Sequence, residues 1–142
     1  MIKNLSISNM RAEAQNIFEI DNPDEYLCRV HMYQKSHSWL SIEAHRKIAN
    51  EYKPIFMKFG AVRYFEGPMW WEGANFYIAS LAEYIELLGK FEDQMIINAY
   101  ASLQSQNPEK DMAGHLFVAK TNSAVVKIVA DLLTLTDQTE FL

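Results

Sequence analysis

The sequence predicts an α+β fold in which a single antiparallel sheet carries two helices on one face. Four short runs alternate in polarity or are rich in β-branched and aromatic residues, which is typical of strands. These runs are residues 25–34, 62–66, 75–79 and 115–120. Two longer runs, 41–59 and 81–105, repeat apolar residues at the period of a helix. In chain order the core therefore reads β-α-β-β-α-β.

Composition supports a single domain spanning residues 1–142. The chain is 49% hydrophobic and 13% aromatic, which is enough for a substantial core. The formal charge of −5 and the absence of a basic run argue against a nucleic-acid partner. A single cysteine, Cys28, excludes an intramolecular disulfide and a cysteine-based zinc site. Because no apolar run is long enough for a signal-peptide core or a membrane span, we expect a cytoplasmic protein without membrane contact.

Segments outside the core are predicted to be helical. In the N-terminal extension, 1–24, apolar residues at helical spacing predict a short helix that ends at the turn 21–24. The C-terminal segment, 121–142, contains a predicted helix and an acidic tail. Its many β-branched residues leave a strand as the alternative to that helix.

Turn and capping signals set the predicted core boundaries. Ser38 or Ser41 can cap the helix 41–59, Pro54 should kink or restart it, and Gly60 suits its C-terminal cap. Residues 62–66 and 75–79 are expected to be neighbouring strands of a hairpin, joined by a tryptophan-bearing loop. Ser80-Leu81-Ala82-Glu83 has the form of a capping box at the start of the helix 81–105.

This β-α-β-β-α-β order is the ferredoxin-like arrangement. The competing interpretation is an all-α helical bundle in which residues 62–79 form a helix-loop-helix. A ferredoxin-like sheet would leave one face open, and a second copy of the chain commonly covers such a face. The order therefore favours a homodimer.

Two stretches carry a resemblance to a known family. AHRKIANEYKPIFMKFGAVRYFEG (44–67) is similar to the first helix and second strand, and NFYIASLAEYIELLGKFED (75–93) to the third strand and second helix, of the dimeric α/β-barrel superfamily. The resemblance covers about residues 25–120. This superfamily includes antibiotic-biosynthesis monooxygenases, haem-degrading oxygenases, lactone isomerases and NIPSNAP-like proteins. The resemblance implies a cofactor-free oxygenase or isomerase that acts on an aromatic or polyketide-like compound.

Candidate catalytic residues lie on the first predicted strand. Arg29, His31 and Tyr33 alternate onto one face, where His31 is a candidate base and Arg29 and Tyr33 are candidate holders of an anionic substrate. In the predicted order the strand bearing His115 flanks the first strand, which would bring His115 next to His31. The alternative is that both are ordinary sheet histidines.

Aromatic side chains suggest a pocket for a planar ligand. Trp70 and Trp71 could line its mouth, with Tyr64 and Tyr77 as walls. The alternative is that the tryptophans close the core or an interface. No metal-ligand motif is present, and no cofactor is expected, although haem with His31 or His115 as axial ligand is a further possibility. A non-catalytic ligand-binding or oligomerisation domain stays open beside the enzyme hypothesis.

Overall fold

The protein is built mainly from two antiparallel sheets. The computed structural model describes residues 2–7, 10–11, 13–48, 50–90 and 114–137. The strands are β1 (Ile2–Leu5), β2 (Tyr26–Gln34), β3 (Trp39–Arg46), β4 (Ile55–Gly60), β5 (Tyr64–Glu66), β6 (Trp70–Glu72), β7 (Tyr77–Ile78), β8 (His115–Lys120), β9 (Val125–Ala130) and β10 (Leu132–Thr136). One α-helix, α1 (Leu81–Leu88), and two short 3₁₀ helices, Pro23–Glu25 and Lys35–His37, complete the described elements.

Every strand pairing in the described residues is antiparallel. The first sheet has six strands in the order β1-β10-β4-β3-β2-β6, and the second has four in the order β5-β9-β8-β7. The meander β2-β3-β4 forms the centre of the six-stranded sheet. β9 and β10 follow each other in sequence but belong to different sheets, so the chain crosses between the sheets at residue 131.

The strands β3 and β4 replace most of the predicted helix 41–59. The sequence of β3, WLSIEAHR, alternates apolar residues, which enter the core, with polar residues on the opposite face. Pro54 lies in the connection between β3 and β4, where its missing N–H costs no ladder hydrogen bond. The helix prediction was wrong because the apolar residues of this segment fit a helical period as well as the alternation of a strand.

The inner faces of the two sheets pack together around a group of phenylalanines. Phe59 of β4 lies 5.7 Å from Phe117 of β8, measured between ring centroids. It also contacts Phe18, at 5.4 Å, and Phe76, at 5.2 Å, edge to face. All four rings are fully buried. This aromatic centre therefore joins both sheets, the N-terminal segment and the residue before β7.

Helix α1 covers the other face of the four-stranded sheet. Tyr84, Leu87 and Leu88 of the helix form a second buried cluster with residues of β8 and β9. The helix begins as predicted, because the Ser80 hydroxyl accepts a hydrogen bond of 3.2 Å from the Glu83 N–H. The predicted continuation of this helix over residues 91–105 lies outside the described residues.

The predicted N-terminal helix is replaced by a succession of turns. Glu13, Asn16, Glu19 and Asn22 all have positive φ, a backbone conformation that ends a right-handed helix. Between these turns the segment buries Ile17 and Phe18 in the main core. The apolar residues of this segment are therefore core residues, although the segment is not a helix.

The structure overturns both predicted fold classes. The ferredoxin-like order is wrong because 41–59 is largely strand, and the all-α bundle is wrong because strands dominate the described residues. The predicted hairpin is also wrong, since β5 and β7 lie at opposite edges of their sheet. The predicted C-terminal helix is the two strands β9 and β10, which follows the alternative that β-branching suggested. Predictions of an α/β barrel, and of a dimer that covers its open sheet face, lose their structural basis.

Four strand positions were nevertheless predicted correctly. The runs 25–34, 62–66, 75–79 and 115–120 contain β2, β5, β7 and β8. Each of these runs is bounded by turn residues and enriched in aromatic or β-branched residues, so local signals sufficed there.

Candidate functional site

The candidate site lies on the outer face of the six-stranded sheet, at the buried carboxylate of Glu43. Strand register places one residue from each neighbouring strand in a row across this face. From edge to centre the row is Trp70 of β6, Arg29 of β2, Glu43 of β3 and Phe56 of β4. Side chains opposite each other on antiparallel strands are in contact range, so the row forms one continuous surface.

Two side chains donate hydrogen bonds to the Glu43 carboxylate. Arg29 donates from Nη2 at 2.9 Å and from Nε at 3.1 Å to the same oxygen, Oε2. The Tyr52 hydroxyl donates to the other oxygen, Oε1. The Glu43 side chain is only 3% exposed, whereas that of Arg29 is 56% exposed. A buried carboxylate requires such partners, because burying an unpaired charge is costly.

Two histidines flank the same carboxylate. His31 Nδ1 lies 3.7 Å from Oε2 and His45 Nδ1 lies 3.7 Å from Oε1. The His31 ring rests on Phe56 at 5.1 Å, and the His45 ring rests on Tyr52 at 5.4 Å. Each imidazole thus has an aromatic support on one side and the carboxylate on another. We call Arg29, His31, Glu43, His45 and Tyr52 the Glu43 cluster.

A β-bulge in β2 shapes this face. Val30 pairs with Ile42 and Met32 pairs with Ser41, so the register shifts between Val30 and Met32. The extra residue is His31, which lies on the outer face with Arg29 as ordinary strand alternation predicts. From Met32 onward the alternation is reversed.

Further polar side chains are buried beside the cluster. Ser41 and Lys58 are opposite each other on β3 and β4, and both are buried. The hydroxyl oxygen of Ser41 and Nδ1 of His45 are enclosed without a hydrogen-bond partner among the described residues. Burial lowers the pKa of the Lys58 ammonium, because the charged form loses its hydration.

Donors and cations outnumber acceptors on this face. One carboxylate, Glu43, faces a guanidinium and a phenol. The carboxylate offers two oxygens, and Arg29 and Tyr52 already use one each. The Nη1 atom of Arg29 donates no hydrogen bond to the described part of the chain. The surface therefore suits a ligand that brings its own negative charge.

Of the predicted site residues, Arg29 and His31 come together, and Trp70 joins them. Trp70 is 67% exposed and lies next to Arg29. Trp71, the next residue in the strand, points the other way and is buried, with its indole N–H donating to the Gly73 carbonyl at 2.9 Å. The tryptophan pair is thus split between a surface position and the core. The two residues lie on a strand and were wrongly predicted to lie on a loop.

The other predicted residues lie elsewhere. Tyr33 follows the bulge and is paired with Leu40 rather than facing Glu43. His115 is in the four-stranded sheet, beside Phe117, and burial lowers its pKa. The predicted proximity of His31 and His115 is therefore wrong, since they belong to different sheets.

Tyr64 and Tyr77 are also in the second sheet. Tyr64 packs against the second buried cluster, the one between α1 and the four-stranded sheet, and burial raises the pKa of its phenol to about 12. Tyr77 lines a separate cleft with Lys120 and Glu83. Neither is a wall of a pocket around Trp70.

Three members of the site were missed from the sequence: Glu43, His45 and Tyr52. A signal for the first two was present, because Ser41, Glu43 and His45 alternate strictly with apolar residues. Tyr52 lies in the connection between β3 and β4, whose path no local pattern indicated.

Within the described ranges, no three histidine, cysteine or acidic side chains are arranged to hold a metal ion. The helix that the structure describes is too short to cross a membrane. Comparisons of this chain with known protein families, with curated proteins and with solved structures find no match.

Proposed function

We propose that the outer face of the six-stranded sheet binds a small aromatic compound with an anionic group, and that a histidine of the Glu43 cluster exchanges a proton with it. The observation that carries this proposal is the arrangement around Glu43. One buried carboxylate is contacted from β2 and from the connection after β3, and two imidazoles lie beside it on a partly exposed surface.

Binding would use Arg29 and Trp70. A guanidinium offers planar donors that match a carboxylate or phosphate group. The indole of Trp70 is exposed on the adjacent strand and offers an apolar surface on which a ring can stack. An aromatic anion can contact both residues at once, whereas an aliphatic anion or a neutral ring can use only one.

Proton exchange would use His31 or His45. One nitrogen of each imidazole lies beside the Glu43 carboxylate, which would leave the other nitrogen to face a reactant. The imidazole takes a proton from the ligand, the ligand keeps the electron pair, and Arg29 stabilises the negative charge that develops there. Return of the same proton to another atom of the ligand would complete an isomerisation without any co-reactant.

Three probes test the binding step: benzoate, acetate and benzyl alcohol. We expect benzoate to bind more tightly than either of the others, because acetate lacks the ring and benzyl alcohol lacks the charge. Arg29→Gln should weaken benzoate binding by about tenfold, as expected when a charge-assisted contact is lost. Trp70→Ala should also weaken it, and the control Arg46→Gln, on the next strand, should leave it unchanged. Equal binding of the three probes, or equal loss in both arginine variants, would exclude this site.

Proton exchange needs a separate test, because the same face could bind a ligand without catalysis. An aromatic keto acid with exchangeable α-protons, phenylpyruvate, can be followed by NMR in D₂O with and without the protein. We expect faster deuterium incorporation with the wild type, and a loss of this acceleration in His31→Asn or His45→Asn but not in His37→Asn. Binding of phenylpyruvate without accelerated exchange would favour the non-catalytic alternative.

Haem ligation by His31 or His115 stays a prediction. A haem titration tests it, because an axial histidine would produce a Soret band that shifts in the corresponding alanine variant.

A further inference from the structure

A second polar site lies on the opposite outer side of the molecule, at Tyr77. It is a cleft of about 500 Å³, lined by Glu13, Gln15, Asn75, Tyr77, Glu83 and Lys120. This volume is in the range of small-molecule sites. We call it the Tyr77 cleft. It belongs to the four-stranded sheet and its neighbours, and shares no residue with the Glu43 cluster.

Four separate parts of the chain build this cleft. Tyr77 is in β7, Lys120 ends β8, and Glu83 is in the first turn of α1. The N-terminal segment closes the fourth side, because the Glu13 N–H donates to the Ile78 carbonyl at 2.7 Å. Glu13 has a φ of 67°, a costly conformation for a residue other than glycine. The backbone is thus held in an unusual conformation at Glu13, whose side chain lines the cleft.

One wall of the cleft carries opposite charges on either side of a phenol. The Lys120 ammonium lies 5.8 Å from the centre of the Tyr77 ring, and the Tyr77 hydroxyl is 3.4 Å from Glu83 Oε1. Burial raises the pKa of Tyr77, so the phenol keeps its proton and can donate to the carboxylate. Within the described residues, Lys120 forms no ion pair with a carboxylate. The ammonium also hydrogen-bonds the Tyr77 side chain and is attracted by Glu83, and its remaining donors can contact a ligand.

The cleft is also lined by a carboxylate, Glu13, and by the two amides of Gln15 and Asn75. Glu13 has no ion pair in the described part of the chain. The Asn75 amide donates to Gln15 Oε1 at 3.4 Å, while its own oxygen accepts from the Asn16 backbone N–H at 2.7 Å. The second contact fixes the Asn75 side chain, so the amide pair is held in place at the cleft.

We infer that the Tyr77 cleft binds a small zwitterion of the amino-acid type. A ligand carboxylate would contact Lys120, a ligand ammonium would contact Glu13, and the two amides would hydrogen-bond polar groups between them. A purely anionic ligand would meet the two carboxylates of the cleft, and a purely cationic one would leave the lysine unpaired. Both charges of a zwitterion are matched.

The test uses L-glutamine as the probe, with N-acetyl-L-glutamine and L-glutamine methyl ester as single-charge analogues and glycerol as a neutral polyol. Binding is followed by shifts of backbone amide signals in ¹H–¹⁵N NMR spectra of the full chain. We expect millimolar binding of L-glutamine that shifts the amides of residues 75–77 and 119–120. The two analogues and glycerol should bind more weakly.

Two variants and two matched controls decide the assignment. Lys120→Met and Glu13→Gln should each weaken L-glutamine binding by about tenfold, through loss of one charge-assisted contact. Lys90→Met and Glu86→Gln change the same charges outside the cleft and should leave binding unchanged. Absence of binding at millimolar L-glutamine, equal binding of glycerol, or unchanged affinity in both cleft variants would overturn the inference. These outcomes are independent of benzoate binding at the Glu43 cluster.

Discussion

The Arg29–Glu43 contact gives the most quantitative prediction about the site. We consider Arg29→Gln, Glu43→Gln and the double variant, which together form a double-mutant cycle. Each single variant removes one charge; Glu43→Gln keeps the shape of the side chain, and Arg29→Gln replaces the guanidinium with a shorter polar side chain. The coupling free energy is the part of the destabilisation that depends on both partners.

The magnitude follows from the exposure of the two partners. A fully exposed ion pair contributes about 0.2–1 kcal/mol, and a hydrogen bond to a charged group contributes about 1.5–3 kcal/mol. Glu43 is buried, but Arg29 is 56% exposed and is partly screened by water. We therefore expect a coupling of about 1–2 kcal/mol, between these limits. Arg29→Gln alone should cost more than Glu43→Gln alone, because it leaves the buried carboxylate with only the Tyr52 hydroxyl as a donor, whereas the half-exposed Arg29 can be hydrated when Glu43 is replaced.

Urea unfolding, followed by far-UV circular dichroism, measures each free energy of unfolding. The control cycle is Arg46–Glu25, a pair at 3.5 Å in which both side chains are largely exposed. We expect no resolved coupling in the control. If the coupling between Arg29 and Glu43 were no larger than that of the control, the buried carboxylate would not be held by the guanidinium as the geometry requires.

Three further predictions concern the core and buried ionisable groups. Phe59→Ala should cost about 3–5 kcal/mol in urea unfolding, because Phe59 joins both sheets, whereas Leu132→Ala at an exposed position should cost far less; equal losses would contradict the packing. Burial raises the pKa of Cys28 to about 12, so a thiol reagent should label the native protein at pH 8 much more slowly than the urea-unfolded chain, and rapid native labelling would contradict this burial. Burial lowers the pKa of His115 in the folded protein. Below about pH 6.5, the His115 imidazole therefore binds a proton more readily in the unfolded chain than in the folded one, and the free energy of unfolding falls as the pH falls. Urea unfolding of the wild type and His115→Gln should therefore show a steeper loss of stability toward low pH in the wild type, and parallel pH profiles would refute it.

Local sequence signals predicted individual strands but not their arrangement. Local residues correctly predicted the strand β8, whose sequence is HLFVAK, and the start of a helix at the capping box of Ser80. The separation of β5 and β7 could not be read in the same way, because β8 and β9 lie between them and come from a distant part of the chain. Pairing between distant segments leaves little trace in the sequence of either one.

For the candidate site as well, local patterns predicted some residues and not others. Alternation along β2 indicated that Arg29 and His31 share a face, which the structure confirms. The bulge after Val30 reversed the positions of Met32 and Tyr33, and no local pattern predicts a bulge there. Glu43 was missed because it lies within the predicted helix 41–59, although the polar residues of 39–46 alternate as those of a half-buried strand do.

The most direct test of the proposed function is a residue-resolved NMR titration of the histidine side chains with benzoate. Ring ¹H–¹³C signals are assigned by His→Asn substitution, one histidine at a time. We predict that benzoate shifts the signals of His31 and His45, which flank Glu43, and leaves those of His37 and His115 in place. If His31 and His45 do not respond, or respond no more than His37, the Glu43 cluster is not the binding site.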